Sequence, residues 1–212
     1  MDASFWFNKW ERNEIGFHRP VANPLLVNHF DALSLSKTER VFLPLCGKTL
    51  DIGWLLGKGH QVVGAELSQM AIEQLFESLG IKPKISVLGT LRKYSGPALD
   101  IFVGDVFAIS STMLGRVDAI YDRGALVALP NETRVRYTKH LVQITETAPQ
   151  LVVTYEYDQR VVAGPPFSIT TEELTDHYGA SYNLTLLKSE QEPNGMKGKC
   201  PATESVWVLK KK

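Results

Sequence analysis

The sequence predicts an α/β fold with a mostly parallel sheet, and two observations support that prediction. Short apolar runs alternate with segments of helical length along the 212 residues, which is the pattern of βαβ units. In the first unit, an apolar run meets a turn at Gly47, and a second run, Gln61–Glu66, ends in an acid. A strand-end acid about 20 residues after a glycine turn is typical of units that bind a ribose. The chain is therefore expected to bind an adenosine-bearing cofactor.

The first half of the chain reads as strands and helices in alternation. Gly57 ends one predicted helix, Ser68 is a suitable N-cap for the next, and Gly80 suits the left-handed position after it. The predicted elements are a helix over 5–11, a strand over 40–45, a helix over 50–57, a strand over 61–66 and a helix over 70–79.

The second half continues the alternation and ends in a strand pair. Pro130 opens a long amphipathic helix, and Thr170 with Glu173 has the spacing of a capping box. The final two strands are expected to be antiparallel at one edge of the sheet. The predicted elements are strands over 85–91 and 100–103 with a turn at 95–97, a strand over 117–121, a helix over 130–147, a strand over 151–155, a helix over 174–178 and strands over 182–187 and 205–209.

Composition excludes several function classes. Lys plus Arg equals Asp plus Glu at 23 each, which argues against binding to nucleic acid or an anionic membrane. No signal-peptide pattern and no membrane-length apolar stretch is visible, and Cys46 and Cys200 form no metal-ligand pattern. We therefore expect a single-domain, monomeric, cytoplasmic protein without a metal site.

Five segments follow one another in a specific order. They are Trp6…Trp10…Gly16-Phe17-His18, Phe42-Leu43-Pro44-Leu45-Cys46-Gly47-Lys48, Val63-Gly64-Ala65-Glu66-Leu67-Ser68, Tyr121-Asp122-Arg123-Gly124-Ala125-Leu126-Val127-Ala128 and Gly164-Pro165-Pro166-Phe167. Together they resemble the thiopurine S-methyltransferase family, in its bacterial-type members, over most of the chain. The resemblance implies S-adenosylmethionine as cofactor and a Rossmann-like class I methyltransferase fold. Such a fold has a seven-stranded, mostly parallel sheet with an antiparallel edge strand and helices on both faces. Residues 1–212 would form one domain, with residues 1–20 as a lid over the cofactor.

The glycine turn itself distinguishes between cofactors. It reads Cys46-Gly47-Lys48 and lacks the full Gly-x-Gly-x-x-Gly pattern of dinucleotide-binding enzymes. A pyrophosphate needs that close backbone approach at a helix N-terminus. Its absence favours S-adenosylmethionine, which has no phosphate, over NAD or FAD. Taken alone, Gly47 fits an ordinary helix-initiating turn equally well.

Position and resemblance together assign the cofactor contacts. Glu66 is the predicted ribose ligand, and a solvated strand-end acid is its alternative. By resemblance, Leu45 offers its backbone and Trp10 lies in the lid, although both residue types also suit a core. Asp105 and Val106 are expected beside the adenine, with a turn or helix cap as the alternative for Asp105. The predicted cofactor-binding set is Trp10, Leu45, Glu66, Asp105, Val106 and Arg123.

The resemblance also assigns the acceptor side of the site. Arg123, just after a predicted strand, would contact cofactor and acceptor and stabilise an anionic sulfur, and a surface pair with Asp122 is the alternative. The predicted acceptor pocket consists of Phe17, His18, Pro165 and Pro166, although the prolines also fit an ordinary stiff connection. Relatives can carry a basic residue before the last strand that holds the acceptor, and Lys197 or Lys199 is a candidate.

The expected activity is S-methylation of aromatic or heterocyclic thiols such as thiopurines, with selenium or tellurium compounds as further acceptors. Aromatic thiols ionise near neutral pH, so no strong general base is required, and the sequence offers none. The rivals are a methyltransferase for halide, oxygen or nitrogen acceptors, an NAD-dependent oxidoreductase, and a binding protein that senses S-adenosylmethionine without catalysis.

Overall fold

The computed structural model describes residues 3–212, and one nine-stranded sheet forms its centre. The strands are β1 Arg40–Leu43, β2 Gln61–Glu66, β3 Lys84–Leu88, β4 Leu91–Gly96, β5 Leu99–Val103, β6 Ala119–Arg123, β7 Gln150–Tyr157, β8 Tyr182–Gln191 and β9 Ala202–Lys211. Their order across the sheet is β3-β4-β5-β2-β1-β6-β7-β9-β8. Strands β5, β2, β1, β6 and β7 are parallel neighbours. Their carboxyl ends therefore meet at one edge, where sites of α/β proteins are built.

Helices cover both faces of this sheet, as predicted. They are α1 Ala3–Glu11, α2 Pro24–His29, α3 Asp51–Gly57, α4 Gln69–Ser78, α5 Ser111–Leu114, α6 Asn131–Ile144 and α7 Thr171–Tyr178. One apolar cluster packs α2, α3 and α4 on one face, and a second packs α5, α6 and α7 on the other. Two buried layers on one sheet remove apolar surface from water on both sides, which is the main stabilising contribution to such a fold. Among residues 3–212, no helix combines the length and apolar character needed to cross a membrane.

The predicted seven-stranded sheet is present as β5-β2-β1-β6-β7-β9-β8, and the hairpin β3–β4 extends it to nine strands. A single strand over 85–91 is wrong, because the chain reverses at Gly89, which adopts a left-handed φ of 62°. The turn at 95–97 is also misplaced, since Ser95 and Gly96 pair with β5. The final antiparallel pair is confirmed, but β9 lies between β7 and β8, so β8 forms the edge.

Local capping signals were good predictors of helix ends. The Ser68 hydroxyl accepts from the Ala71 amide at 3.3 Å, and Gly80 has the expected left-handed φ of 65°. The Thr170 hydroxyl likewise accepts from the Glu173 amide at 3.1 Å. A capping box also predicts that the Glu173 carboxylate accepts from the backbone amide of Thr170. That part of the prediction is wrong, because the carboxylate binds the guanidinium of Arg134 at 2.7 Å. Arg134 is almost fully buried, and a buried cation requires an anionic partner.

Candidate active site

The turn after β1 places backbone against an aromatic ring. Leu45 and Gly47 both adopt left-handed conformations, with φ of 47° and 53°, and the Cys46 amide donates to the carbonyl of Ala65 on β2 at 2.9 Å. A Cβ atom added to Gly47 would lie 3.0 Å from Cζ2 of Trp10. Glycine is therefore needed here for both its conformation and its small size.

Glu66, the last residue of β2, is held inside this turn. Its side chain is only 7% exposed. One carboxylate oxygen accepts from the Gly47 amide at 2.8 Å and the other from the Ser68 amide at 2.8 Å. Burial raises the pKa of Glu66, while the bonds from these backbone amides oppose that shift. The alternative of a solvated strand-end acid is thus wrong.

The N-terminal segment lies next to this turn through a cluster of aromatic rings. Trp10 is buried, and Phe17 contacts both Trp10 and Trp6 edge to face, with ring centroids 5.6 and 6.0 Å apart. The amino group of Lys48 lies 6.0 Å from the centre of the Trp10 ring. The segment therefore packs at the carboxyl edge of the sheet. Met1 and Asp2, the first residues of the predicted lid, lie outside the described residues.

Arg123 connects β6 to that segment. Its Nη1 donates to the carbonyl of Phe17 at 2.8 Å, so the guanidinium lies at the strand end and beside the aromatic cluster. His18 follows directly, and burial, Lys48 and Arg123 lower its pKa, while Asp51 opposes the shift. A lowered pKa favours the neutral form of the imidazole.

Asp122 is structural, and its predicted alternative role in a surface pair with Arg123 is wrong. It is fully buried, and its two oxygens accept from the Leu126 amide at 3.0 Å and from the Tyr137 hydroxyl at 2.7 Å. Burial raises the pKa of Asp122 from 3.8 to about 6. Asp122 therefore fixes the chain on both sides of Arg123.

This raised pKa predicts a pH-dependent stability. Below about pH 4 the Asp122 carboxyl is protonated in both the folded and the unfolded protein, and above about pH 6 it is ionised in both. Between these two pH values the folded protein binds more protons than the unfolded protein. The free energy of unfolding therefore falls by about 3 kcal/mol as pH rises through this window, because the contribution of the protonated carboxyl is lost. We expect Asp122→Asn to gain stability relative to the unmodified protein as pH rises, in urea titrations. If the difference in free energy of unfolding between the two proteins does not change with pH, this prediction is contradicted.

The residues after β5 form a tight turn. The exposed Asp105 accepts from the Phe107 amide at 3.0 Å and so caps a short 3-10 turn over Val106–Ala108. Val106 is buried, and its carbonyl lies 3.0 Å from Nε2 of His140 on α6. The capping alternative for Asp105 is thus correct, and the adenine contacts of Asp105 and Val106 stay predictions.

The proline loop is attached to the body of the protein by hydrogen bonds. The Tyr157 hydroxyl donates to the carbonyl of Pro166 at 2.6 Å, and the Lys197 amino group donates to that of Pro165 at 2.8 Å. The Phe167 amide donates to the carbonyl of Val127 at 2.6 Å. Lys197 is therefore engaged with the loop backbone. The role of Pro165 and Pro166 in an acceptor pocket stays a prediction.

Sequence reasoning missed three polar residues near Arg123. The Tyr155 hydroxyl donates to Oε1 of Glu204 at 2.7 Å, and Nη2 of Arg19 lies 3.8 Å from the same oxygen. Glu204 lies at the start of β9, one residue before the predicted strand. A charged residue buried within a strand indicates a functional or structural role, but it can be recognised only once the strand bounds are known.

The chain matches a known protein family along its whole length. The model of the family described as Thiopurine S-methyltransferase (TPMT) matches residues 1–212. The chain belongs to the thiopurine S-methyltransferase family. A thiopurine S-methyltransferase from Xanthobacter autotrophicus is 50% identical over 212 residues. The match covers 100% of this chain and 100% of that protein. Another from Teredinibacter turnerae is 47% identical over 209 residues, covering 99% of this chain and 97% of that protein.

Solved structures support the same fold for this family member. One is the 1,6-didemethyltoxoflavin-N1-methyltransferase of Burkholderia thailandensis, bound to 1,6-didemethyltoxoflavin and S-adenosylhomocysteine. It has a TM-score of 0.66 at 15% identity and covers 98% of this chain and 87% of its own. A TehB-like SAM-dependent methyltransferase from Corynebacterium glutamicum has a TM-score of 0.59 at 13% identity. The match covers 99% of this chain and 98% of that one. At these identities the likeness establishes the Rossmann-like methyltransferase fold alone.

Proposed function

We propose that this protein transfers a methyl group from S-adenosylmethionine to the sulfur of small aromatic or heterocyclic thiols, thiopurines among them. The observation that carries the proposal is the family match over the full chain. The site geometry agrees with it, since the predicted ribose ligand and the predicted acceptor-side arginine both lie at strand ends on one edge of the sheet. Selenium and tellurium compounds are included as acceptors because they present similarly soft, polarisable nucleophiles.

The residues at this edge fit S-adenosylmethionine. A carboxylate offers about four lone-pair positions, and Glu66 uses two of them for the amides of Gly47 and Ser68. The Leu67 amide also bonds to this carboxylate, and the lone-pair positions left over suit the hydroxyls of a ribose. Trp10 and Phe17 supply aromatic faces, which attract a cationic sulfonium group. Leu45, Asp105 and Val106 lie on the adjoining turns and complete the proposed cofactor site.

In the proposed reaction, S-adenosylmethionine supplies the electrophilic methyl group, and the protein supplies position and electrostatics. Alignment of two bound reactants contributes on the order of 7–11 kcal/mol in favourable systems. Arg123 places a permanent positive charge where an anionic sulfur is stabilised, and Phe17 and Trp10 exclude water from that place. Burial and the charges of Lys48 and Arg123 lower the pKa of His18, which favours the neutral imidazole, the form that can face an apolar aromatic acceptor. We assign Pro165 and Pro166 to the wall of the proposed acceptor pocket, together with Phe17.

We further propose that residues 1–20 act as a lid within one domain spanning residues 1–212. The packing of Trp10 on Gly47 and the bond from Arg123 to the Phe17 carbonyl support this role. The balance of 23 basic and 23 acidic residues argues against binding to nucleic acid or anionic membranes. We propose that the enzyme acts as a monomer in the cytoplasm.

The first experiment is methyl transfer from radiolabelled S-adenosylmethionine to a panel of acceptors. The panel contains a thiopurine, a simple aromatic thiol, selenite, and a catechol as an oxygen control. We expect label on the sulfur acceptors and none on the catechol. If S-adenosylmethionine binds tightly in calorimetry but no acceptor is labelled, a binding protein that senses the cofactor becomes the better explanation. Label on the catechol alone would favour an oxygen methyltransferase.

A further inference from the structure

A row of polar side chains crosses three neighbouring strands beside the proposed acceptor pocket. Arg123 on β6 pairs in register with Val153 on β7, and Tyr155, two residues further along β7, pairs with Glu204 on β9. Residues in register, and residues two apart on a strand, point to the same face of a sheet. Arg123, Tyr155 and Glu204 therefore share one face, at the edge where the N-terminal segment lies.

This row is connected to the N-terminal segment at both ends. At one end, Arg123 donates to the carbonyl of Phe17 at 2.8 Å. At the other, Arg19 lies 3.8 Å from the Glu204 oxygen that also accepts from the Tyr155 hydroxyl at 2.7 Å. Two arginine side chains thus hold residues 17–19 to the sheet. Arg123 extends from β6 to the Phe17 carbonyl, and Arg19 extends from the segment to Glu204 on β9.

The two contacts differ in their electrostatic environment. Glu204 is only 6% exposed, whereas Arg19 is partly open to solvent. A second carboxyl, Glu192, lies nearby, and its pKa is raised by burial and by the charge of Glu204, an effect that Arg19 opposes. Burial and the same Glu204 charge raise the pKa of Tyr155 to about 12. Glu204 thus creates a strongly negative, poorly solvated position on the sheet.

That position makes attachment of the segment favourable. An exposed ion pair contributes little, but a buried carboxylate that loses its cation is left uncompensated in a region of low dielectric constant. Moving Arg19 away would leave the buried Glu204 beside a second carboxyl, that of Glu192, with which it shares a hydrogen bond. Residues 17–19 therefore have an energetic reason to stay on the sheet.

We propose that Glu204 is a positioning residue which, through Arg19, holds residues 17–19 against the sheet and so fixes Phe17 and His18 for acceptor binding. Glu204 acts on the segment and not on the reacting atoms. The part that concerns the acceptor rests on the proposed function, whereas the attachment of the segment is independent of it.

The test compares Glu204→Gln, Arg19→Gln and the double variant, with Glu190→Gln as the matched control. Glu190 is in register with Glu204 on β8 but is exposed and paired with Lys188. We expect each single variant to raise the acceptor KM about fivefold to tenfold with kcat within twofold, as loss of about 1–1.4 kcal/mol of binding implies. The double variant should be no worse than the poorer single one, Arg19→Lys should recover much of the loss, and Glu190→Gln should match the unmodified protein.

A second measurement needs no turnover. We expect amide hydrogen exchange of peptides covering residues 12–20 to become faster in Glu204→Gln and in Arg19→Gln, and to stay unchanged in Glu190→Gln. Unchanged exchange in Arg19→Gln, a surface substitution that leaves the core intact, would overturn the proposal, as would additive effects in the double variant. If exchange changes as expected but the unmodified protein methylates no thiol, the attachment stands and the proposed function fails.

Discussion

Replacing Glu66 with alanine is expected to weaken binding of S-adenosylhomocysteine about ten- to hundredfold. Hydrogen bonds to a charged group contribute about 1.5–3 kcal/mol, and the proposed ribose contact would be lost. The same substitution leaves the amides of Gly47 and Ser68 without their acceptor, so the turn that carries Leu45 would also lose its support. Both effects act in the same direction on cofactor affinity.

Calorimetric titration with S-adenosylhomocysteine measures this effect directly. Asp118→Ala is the matched control, because the Asp118 carboxylate also accepts from a backbone amide, that of Arg40 at 2.8 Å, but lies at the opposite edge of the sheet. We expect the control to lose some stability and to keep its affinity. Unchanged affinity in Glu66→Ala, with the protein folded, would remove Glu66 from the ribose site.

Replacing Arg123 with alanine is expected to lower kcat about a hundredfold while affinity for S-adenosylhomocysteine falls only a few-fold. The negative charge on the acceptor sulfur is consumed as the methyl group arrives, so Arg123 would act by keeping the sulfur ionised and in line with that methyl group. Removing one preorganised donor from an enzyme site costs on the order of 10²–10³ in rate. The smaller loss of affinity follows from the bond to the Phe17 carbonyl, which helps hold the aromatic cluster in place. Arg123→Lys keeps the positive charge, and its kcat is expected to lie between those of the unmodified protein and Arg123→Ala.

Steady-state rates with an aromatic thiol, together with calorimetry, separate these contributions. Arg116→Ala is a suitable control, since Arg116 is largely exposed and precedes the opposite end of β6. If Arg123→Ala lowers turnover and cofactor affinity by the same factor, Arg123 serves cofactor binding and its assignment to the acceptor sulfur is wrong.

Local rules explain why much of the fold was predictable. Strand β2 was predicted over Gln61–Glu66 with both bounds correct, because a short continuous apolar run between polar residues is typical of a buried parallel strand. The Ser68 cap and the Gly80 terminus depend on bonds within a single turn of chain. Strand β4 was missed because Leu91 and Tyr94 are its only large apolar residues, and because its pairing with β5 is a contact between separate segments.

The candidate site divides in the same way. Glu66 was predicted from its place at a strand end and from the family resemblance. Arg123 was predicted from the resemblance, at a position just after a predicted strand. The partners of these residues were not predictable, because the amide of Gly47 and the carbonyl of Phe17 come close only after the strands and the N-terminal segment are assembled. Asp122 shows the limit most clearly, since its neighbour in sequence suggested an ion pair and its burial requires Tyr137 instead.

By itself, therefore, the sequence determined the α/β class, the family resemblance and the strand-end positions of the charged residues, since period, turn chemistry and motif order are local properties. Only the tertiary structure decided which groups these residues contact. Arg19 and Glu204 lie near opposite ends of the chain, yet they meet beside Tyr155. The physical reason is that burial and distance set the strength of a charge interaction, and both are properties of the folded assembly.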